Sequence, residues 1–246
     1  MNPRKILPQA LGFILLASIG NSANSPQKLE TEITRKVSVA FMLHLPEGYE
    51  TDKARKWPVI LFLHGAGERG DNLKRVTVHG PPKLVENGKN LPFIVISPQC
   101  PKNQLWDNQT LLTLLDHVLE SHRCDKSRVY LTGLSMGGFG TFSLGLAHPD
   151  RFAAIAPICG GGEWIRVYGA KKSKPEDFRN LGVWVFHGGK DPVVLPGESE
   201  RMVETLKNAG CKDVRLTIYP EAKHDSWTRT YENPELYEWF LSHVRQ

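Results

Sequence analysis

The residues Gly133-Leu134-Ser135-Met136-Gly137 form a G-x-S-x-G motif between a predicted strand at 129–132 and a predicted helix at 136–147. At a sharp turn from strand to helix the central serine takes a strained conformation, and the residues two positions before and after it must be small. Gly133 and Gly137 meet this requirement. The motif in this setting predicts an exposed, nucleophilic Ser135 at the end of a strand.

Other apolar runs recur along the chain and alternate with helical patterns. They predict strands at residues 57–64, 92–97, 129–132, 152–157, 183–187 and 214–219, with an antiparallel edge strand at 33–45 before them. Helical patterns lie at 111–119, 136–147, 199–209 and 234–244, and residues 160–179 are expected to form loops with a short helix among them. Strands alternating with helices predict an α/β fold with a mostly parallel sheet covered on both faces.

A serine hydroxyl needs a base to take its proton and an acid to orient that base. Asp191 follows the predicted strand at 183–187, and His224 follows the one at 214–219. Both therefore lie on loops at the carboxyl ends of strands, on the same edge of the sheet as Ser135. We predict a catalytic triad of Ser135, Asp191 and His224.

Other acids and histidines are weaker candidates for these two roles. Asp225 is adjacent to His224, and neighbouring side chains in a loop usually diverge, while Asp213 precedes its strand and so lies at the wrong edge. His64 and His187 end strands at the correct edge, but each precedes a glycine and is expected to pack or to order its loop.

Two backbone amides are predicted to bind the oxyanion of a tetrahedral intermediate. They belong to Met136, directly after the nucleophile, and to Ala66, in the loop after the strand at 57–64. Gly65 and Gly67 would let the substrate approach the backbone; the alternative is that residues 65–67 form a tight turn only. A phosphate-binding loop is not indicated, since the G-x-x-x-x-G-K-[ST] pattern does not occur there.

Five motifs together resemble the α/β-hydrolase esterases of the dienelactone hydrolase-like and phospholipase/carboxylesterase type. They are LHGAGERG (63–70), SPQCP (97–101), GLSMGG (133–138), KDPV (190–193) and HDSW (224–227). The resemblance covers residues 35–244 and extends to bacterial proteins called predicted peptidases and to feruloyl and acetylxylan esterases of carbohydrate esterase family 1. It implies an α/β-hydrolase fold with a minimal lid, ester hydrolysis by the predicted triad and oxyanion amides, and no metal or cofactor.

The loops expected around Ser135 carry planar side chains. Gln99, Trp106, Trp164 and Trp227 are predicted to bind substrate, because such groups suit stacking against a sugar or an aromatic acyl group. Trp106 and Trp227 could equally be packing residues that brace the acid and base loops. The leading hypothesis is a serine carboxylesterase acting on small or carbohydrate-linked esters of feruloyl or acetyl type. The alternatives are a prolyl oligopeptidase-type serine peptidase, a phospholipase or short-chain lipase, and a non-catalytic binding protein.

The first 24 residues read as a signal peptide, with Arg4 and Lys5 before an apolar core at 11–19 and small residues at 21–25. We therefore expect a secreted or periplasmic protein with one catalytic domain at 25–246 and no membrane association after cleavage. Removing this segment lowers the formal net charge from +5 to about +3, too mild an excess to indicate nucleic acid. The oligomeric state is left open.

Four cysteines in an exported chain raise the question of disulfides. In the predicted topology Cys100 and Cys159 follow strands, whereas Cys124 and Cys211 precede strands and lie at the opposite edge. Cysteines on the same edge would belong to strands several positions apart, too far for the short Cα separation that a disulfide needs. We predict four free, mostly buried thiols.

Overall fold

A seven-stranded sheet forms the centre of the computed structural model, which describes residues 26–245. The strands are β1 (Phe41–His44), β2 (Trp57–Leu63), β3 (Ile94–Pro98), β4 (Cys124–Leu134), β5 (Ala154–Ile158), β6 (Gly182–Gly188) and β7 (Asp213–Tyr219). Their order across the sheet is β1-β3-β2-β4-β5-β6-β7, and β1 alone among them runs antiparallel to its neighbour. The predicted mostly parallel sheet is confirmed.

Within residues 26–245, eight α-helices connect and cover these strands. They are α1 (Gly80–Glu86), α2 (Asn108–Ser121), α3 (Met136–Ala147), α4 (Trp164–Ser173), α5 (Pro175–Asn180), α6 (Gly197–Ala209), α7 (Ser226–Glu232) and α8 (Pro234–Ser242). Two hydrophobic clusters lie on the two faces of the sheet. One includes apolar residues of α2 to α6, and the other those of α1, α7 and α8. Every residue of β2, β3 and β5 is buried, as their continuous apolar sequences predicted.

Two predicted segments differ from the structure. The edge strand expected at 33–45 contains only the four residues of β1, which pair with β3. Residues 160–179, expected to be mostly loops, contain the two helices α4 and α5. Within α4 only Val167 and Ala170 are buried, so the segment has almost no apolar periodicity by which sequence could identify a helix.

The chain divides into two units at residues 36 and 37. Residues Val37–Gln246 form one compact unit, and the described residues 26–36 have no helix or strand. The predicted signal peptide at 1–24 lies outside the described residues. Among the helices at 26–245, none has the length and apolar character needed to cross a bilayer.

The four cysteines are all free and buried, as predicted. Burial raises the pKa of the Cys124 thiol to about 11 and that of Cys211 to about 12. Both thiols therefore stay protonated at neutral pH.

Candidate active site

Ser135 lies between the last residue of β4 and the first residue of α3. Its backbone has φ 52° and ψ −116°, a conformation that residues with a side chain rarely adopt. Two hydrogen bonds stabilise this conformation: the Ser135 amide donates to the Ile158 carbonyl at 2.9 Å and to Cys159 Sγ at 3.3 Å. The sharp turn predicted from the G-x-S-x-G motif is present.

The two motif glycines stand where the chain leaves no room for a side chain. A Cβ at Gly133 would lie 2.5 Å from the Gly137 carbonyl oxygen, and one at Gly137 would lie 1.9 Å from the Leu63 carbonyl oxygen. These contacts are with backbone, which cannot move aside as a side-chain tip can. The steric requirement inferred from the motif is therefore met at both positions.

The side chains of Ser135, His224 and Asp191 form one chain of contacts. His224 Nε2 lies 3.0 Å from Ser135 Oγ, and His224 Nδ1 lies 2.7 Å from Asp191 Oδ2. The three residues come from the carboxyl ends of β4, β7 and β6, so the parallel sheet brings together positions up to 89 residues apart.

Asp191 is buried and held on both carboxylate oxygens. Oδ1 accepts the amides of Val193 at 2.8 Å and Val194 at 3.0 Å, while Oδ2 faces His224. Burial alone would raise the pKa of the Asp191 carboxyl. The hydrogen bonds from His224 and from the two amides outweigh it and hold this pKa below its usual range.

A second histidine, His187, also contacts this carboxylate. Its Nε2 lies 3.2 Å from Asp191 Oδ2 and 2.9 Å from the Val194 carbonyl, and its Nδ1 lies 2.7 Å from Ser199 Oγ. The side chain is fully buried. His187 therefore orders the loop after β6, as its position before a glycine suggested.

Ala66 and Met136 each begin a helical segment beside Ser135. Met136 is the first residue of α3, and Ala66 is the first residue of a short 3₁₀ turn, Ala66–Glu68. Amides at such positions have no acceptor within the helix and remain available to a ligand. Arg69 fixes the Ala66 loop, because its Nε donates to the Ala66 carbonyl at 3.0 Å.

A cleft with a volume of about 620 Å³ opens over Ser135. Its wall is largely apolar and includes Leu105, Trp106, Met136 and Phe139. At its rim Arg166 Nε lies 3.0 Å from Glu163 Oε2, so these two charges neutralise each other. The size and lining suit a small ligand with an aromatic or aliphatic part.

Trp106 is the one predicted substrate-binding residue of the four that lines the cleft. It also donates its Nε1 hydrogen to the His64 carbonyl at 3.2 Å, so it packs the loop as well. Gln99 was also predicted to bind substrate, but it lies outside the cleft lining. Its side chain is buried, and its Nε2 donates to the carbonyls of Glu68 and Asn72. Its amide nitrogen fixes the loop at residues 68–72.

The other two tryptophans also lie outside the cleft lining. Trp227 packs edge-on against His224 with ring centroids 5.3 Å apart, which matches the packing alternative. Trp164 is half exposed and contacts Tyr168 on α4. The sequence reasoning missed Phe139, although its position one helical turn after Ser135 was a usable signal.

A thiol, a carboxylate and an imidazole meet close to Ser135. Cys159, Asp191 and His224 each bring one potential metal ligand atom, and these atoms lie within 4.8 Å of one another. Burial raises the pKa of the Cys159 thiol to about 12, so the thiolate that a metal would need is strongly disfavoured. Asp191 and His224 already bind each other, and the donor set therefore fits a metal ion poorly.

The chain is similar to esterases in sequence. A family model described as "Putative esterase" matches residues 31–176, and that of the prolyl oligopeptidase family matches residues 170–246. Poly(3-hydroxyalkanoate) depolymerase C of Paucimonas lemoignei is 26% identical over 234 residues, covering 79% of this chain and 54% of that protein. Feruloyl esterase B of Thermothelomyces thermophilus is 26% identical over 240 residues, covering 80% of this chain and 79% of that protein.

The structural similarity points the same way. The crystal structure of a thermostable esterase matches with a TM-score of 0.69 and 32% sequence identity, covering 84% of this chain and 60% of that one. This chain thus spans little more than half the length of the depolymerase and of the thermostable esterase. Since the first family model matches residues 31–176, more than half of the chain, the protein belongs to this esterase family and has the α/β-hydrolase fold.

Proposed function

We propose that the protein is a serine hydrolase that cleaves carboxylic esters through a covalent acyl-enzyme. Ser135 is the nucleophile, His224 is the general base and then the general acid, and Asp191 orients His224 and stabilises its cation. The observation that carries the proposal is the unbroken contact chain, 3.0 Å from Ser135 to His224 and 2.7 Å from His224 to Asp191. Membership of the esterase family supports it.

The steps follow from this geometry. His224 Nε2 takes the proton of Ser135 Oγ as the oxygen attacks the ester carbonyl, and the amides of Ala66 and Met136 bind the resulting oxyanion. His224 then donates that proton to the departing alcohol, and the acyl group remains on Ser135. A water molecule, deprotonated by His224, attacks the acyl-enzyme in the same way and releases the acid and the free serine.

The substrates are proposed to be small or carbohydrate-linked esters of feruloyl or acetyl type. The cleft over Ser135 is large enough for an aromatic acyl group, and Trp106 and Phe139 offer it apolar surface. A feruloyl esterase is among the relatives of this chain. The 1–24 segment supports the further proposal that the protein is exported and mature near residue 25, which N-terminal sequencing of the secreted product would test.

A serine peptidase is the second candidate. It is favoured by the match of residues 170–246, which carry both Asp191 and His224, to the prolyl oligopeptidase family. Peptidases of this kind use the same acyl-enzyme chemistry with an amine leaving group.

One experiment separates these candidates. The purified protein is treated with a fluorophosphonate probe and assayed on 4-nitrophenyl acetate, methyl ferulate, acetylated xylan and a peptide amide, with Ser135→Ala as the matched control. We expect labelling of the wild type, none of the variant, and faster turnover of esters than of the amide. Equal labelling of both proteins would overturn the hydrolase proposal, and faster amide turnover would favour the peptidase.

A further inference from the structure

A second cavity adjoins the catalytic cleft on the side of the oxyanion loop. Its volume is about 450 Å³, and it shares Ala66 and Arg69 with the cleft. A molecule whose carbonyl oxygen is bound by the Ala66 amide would therefore have the apolar cleft on one side and this cavity on the other.

Cations outnumber acids among the side chains around the second cavity. Arg69, Arg75 and Lys102 line it, and Asp71 is the one acidic side chain in its lining. Within residues 26–245, no carboxylate lies within ion-pair distance of any of the three cations. These three charges are therefore not held in ion pairs, in contrast to Arg166 of the cleft, which is paired with Glu163.

The two arginines are held in place by backbone rather than by acids. Arg69 donates to the carbonyls of Ala66 and Gln104, and Arg75 donates to the Gly67 carbonyl. Each guanidinium has five N–H donors, so these contacts leave further donors for a ligand. Two positioned guanidinium groups and an ammonium group beside a polar cavity form a site with the chemistry of a carboxylate receptor.

We propose that this second cavity binds a carboxylate carried by the substrate, so that the preferred substrates are anionic esters. The proposal rests on the proposed esterase function and specifies its substrate class. The carboxylate belongs either to the alcohol part, as in an acylated uronic acid, or to the acyl part, as in a half-ester of a dicarboxylic acid. In both cases the same charge pairing lowers KM and speeds encounter with the enzyme.

The test compares two matched substrate pairs that differ only in charge. For the alcohol side, 3-acetoxybenzoate is compared with 3-acetoxybenzamide. For the acyl side, mono-4-nitrophenyl adipate is compared with the 4-nitrophenyl ester of adipamic acid. We expect kcat/KM for the anionic member of one pair to exceed that of its neutral partner by about 3- to 10-fold at low ionic strength, and the ratio to fall as salt is added.

Two variants with opposite expected effects make the test specific. Lys102→Gln should lower the anionic-to-neutral ratio about threefold, and Asp71→Asn should raise it by a similar factor. Lys74→Gln is the matched control, because Lys74 is an exposed cation nearby in sequence that lines neither cavity. Its ratio should equal that of the wild type.

The outcomes distinguish this proposal from the one on which it rests. Hydrolysis of both members of each pair at equal rates would overturn the carboxylate site while leaving the esterase intact, as would equal effects of Lys102→Gln and Lys74→Gln. Absence of hydrolysis together with absence of fluorophosphonate labelling would overturn the esterase function itself.

Discussion

The turn around Ser135 and the wall of the cleft differ in how tightly the fold fixes them. At the turn, backbone touches backbone: a Cβ on Gly137 would meet the Leu63 carbonyl at 1.9 Å, and the Ser135 amide is bound by Ile158. Along the cleft, Leu105 and Phe139 are 73% and 41% exposed. The comparison teaches that the predicted catalytic groups depend on the packing of the whole sheet, whereas these two side chains of the cleft wall are constrained by few neighbours.

The largest expected effect is on kcat, and it comes from the triad that the sheet holds in place. Asp191→Asn keeps the shape of the side chain but removes the charge that orients His224, so kcat should fall by about 10,000-fold. Steady-state assays on 4-nitrophenyl acetate measure it, with circular dichroism to show that the fold persists. A loss below about tenfold would show that Asp191 does not orient the base.

A substitution at the turn around Ser135 should destabilise the fold as well as lower the activity. Gly137→Ala places a methyl group against backbone that cannot yield, and should lower the free energy of unfolding by about 3 kcal/mol. Urea denaturation measures this change. Gly169→Ala in α4 is the matched control, because a Cβ there has no neighbour within 4 Å, and it should stabilise the protein by about 0.5–1 kcal/mol.

On the cleft wall, Phe139→Ala should change selectivity with little effect on the reaction itself. Loss of the ring removes apolar surface for an aromatic acyl group, so kcat/KM for methyl ferulate should fall about tenfold. The value for 4-nitrophenyl acetate should change much less, because acetyl is too small to reach the ring. Tyr168→Ala, an exposed aromatic outside the cleft lining, serves as control. Equal losses of kcat/KM on both esters would show that Phe139 does not act on selectivity for the acyl group.

The smallest expected effect is on the stability of the protein at acid pH. The pKa of Asp191 is lower in the folded protein than its ordinary value, so the folded state favours the ionised form, and this stabilisation is present above the unfolded pKa. It is lost as the pH falls below about 4. Urea denaturation at several pH values should show a weaker loss of stability on acidification in Asp191→Asn than in the wild type. Identical pH profiles would contradict this.

The comparison also explains what the sequence could predict. The elbow at Ser135, the acid at Asp191 and the base at His224 are readable because each follows a continuous apolar strand, and parallel strands bring their carboxyl ends to one edge. The structure places these three side chains in contact. Their catalytic roles remain predictions.

The remaining features depend on contacts that no local pattern encodes. Gln99 is predicted to bind substrate because it carries a planar amide in a loop expected around Ser135, yet the carbonyls of the 68–72 loop accept hydrogen bonds from that amide. The hydrogen bond from the Ser135 amide to Cys159 joins residues 24 positions apart, through an unusual Cys159 conformation with φ 41°. The cationic cavity likewise unites residues of two separate loops, whose proximity only the folded chain reveals.

The strained backbone of Ser135 implies a trade-off between stability and activity. A residue with a side chain at φ 52° raises the free energy of the native state by about 1–3 kcal/mol. Glycine would relax this conformation, so Ser135→Gly should yield a protein that melts at a higher temperature and no longer forms an acyl-enzyme. A higher melting temperature usually indicates that a variant folds correctly. At this position it would accompany the loss of the predicted nucleophile.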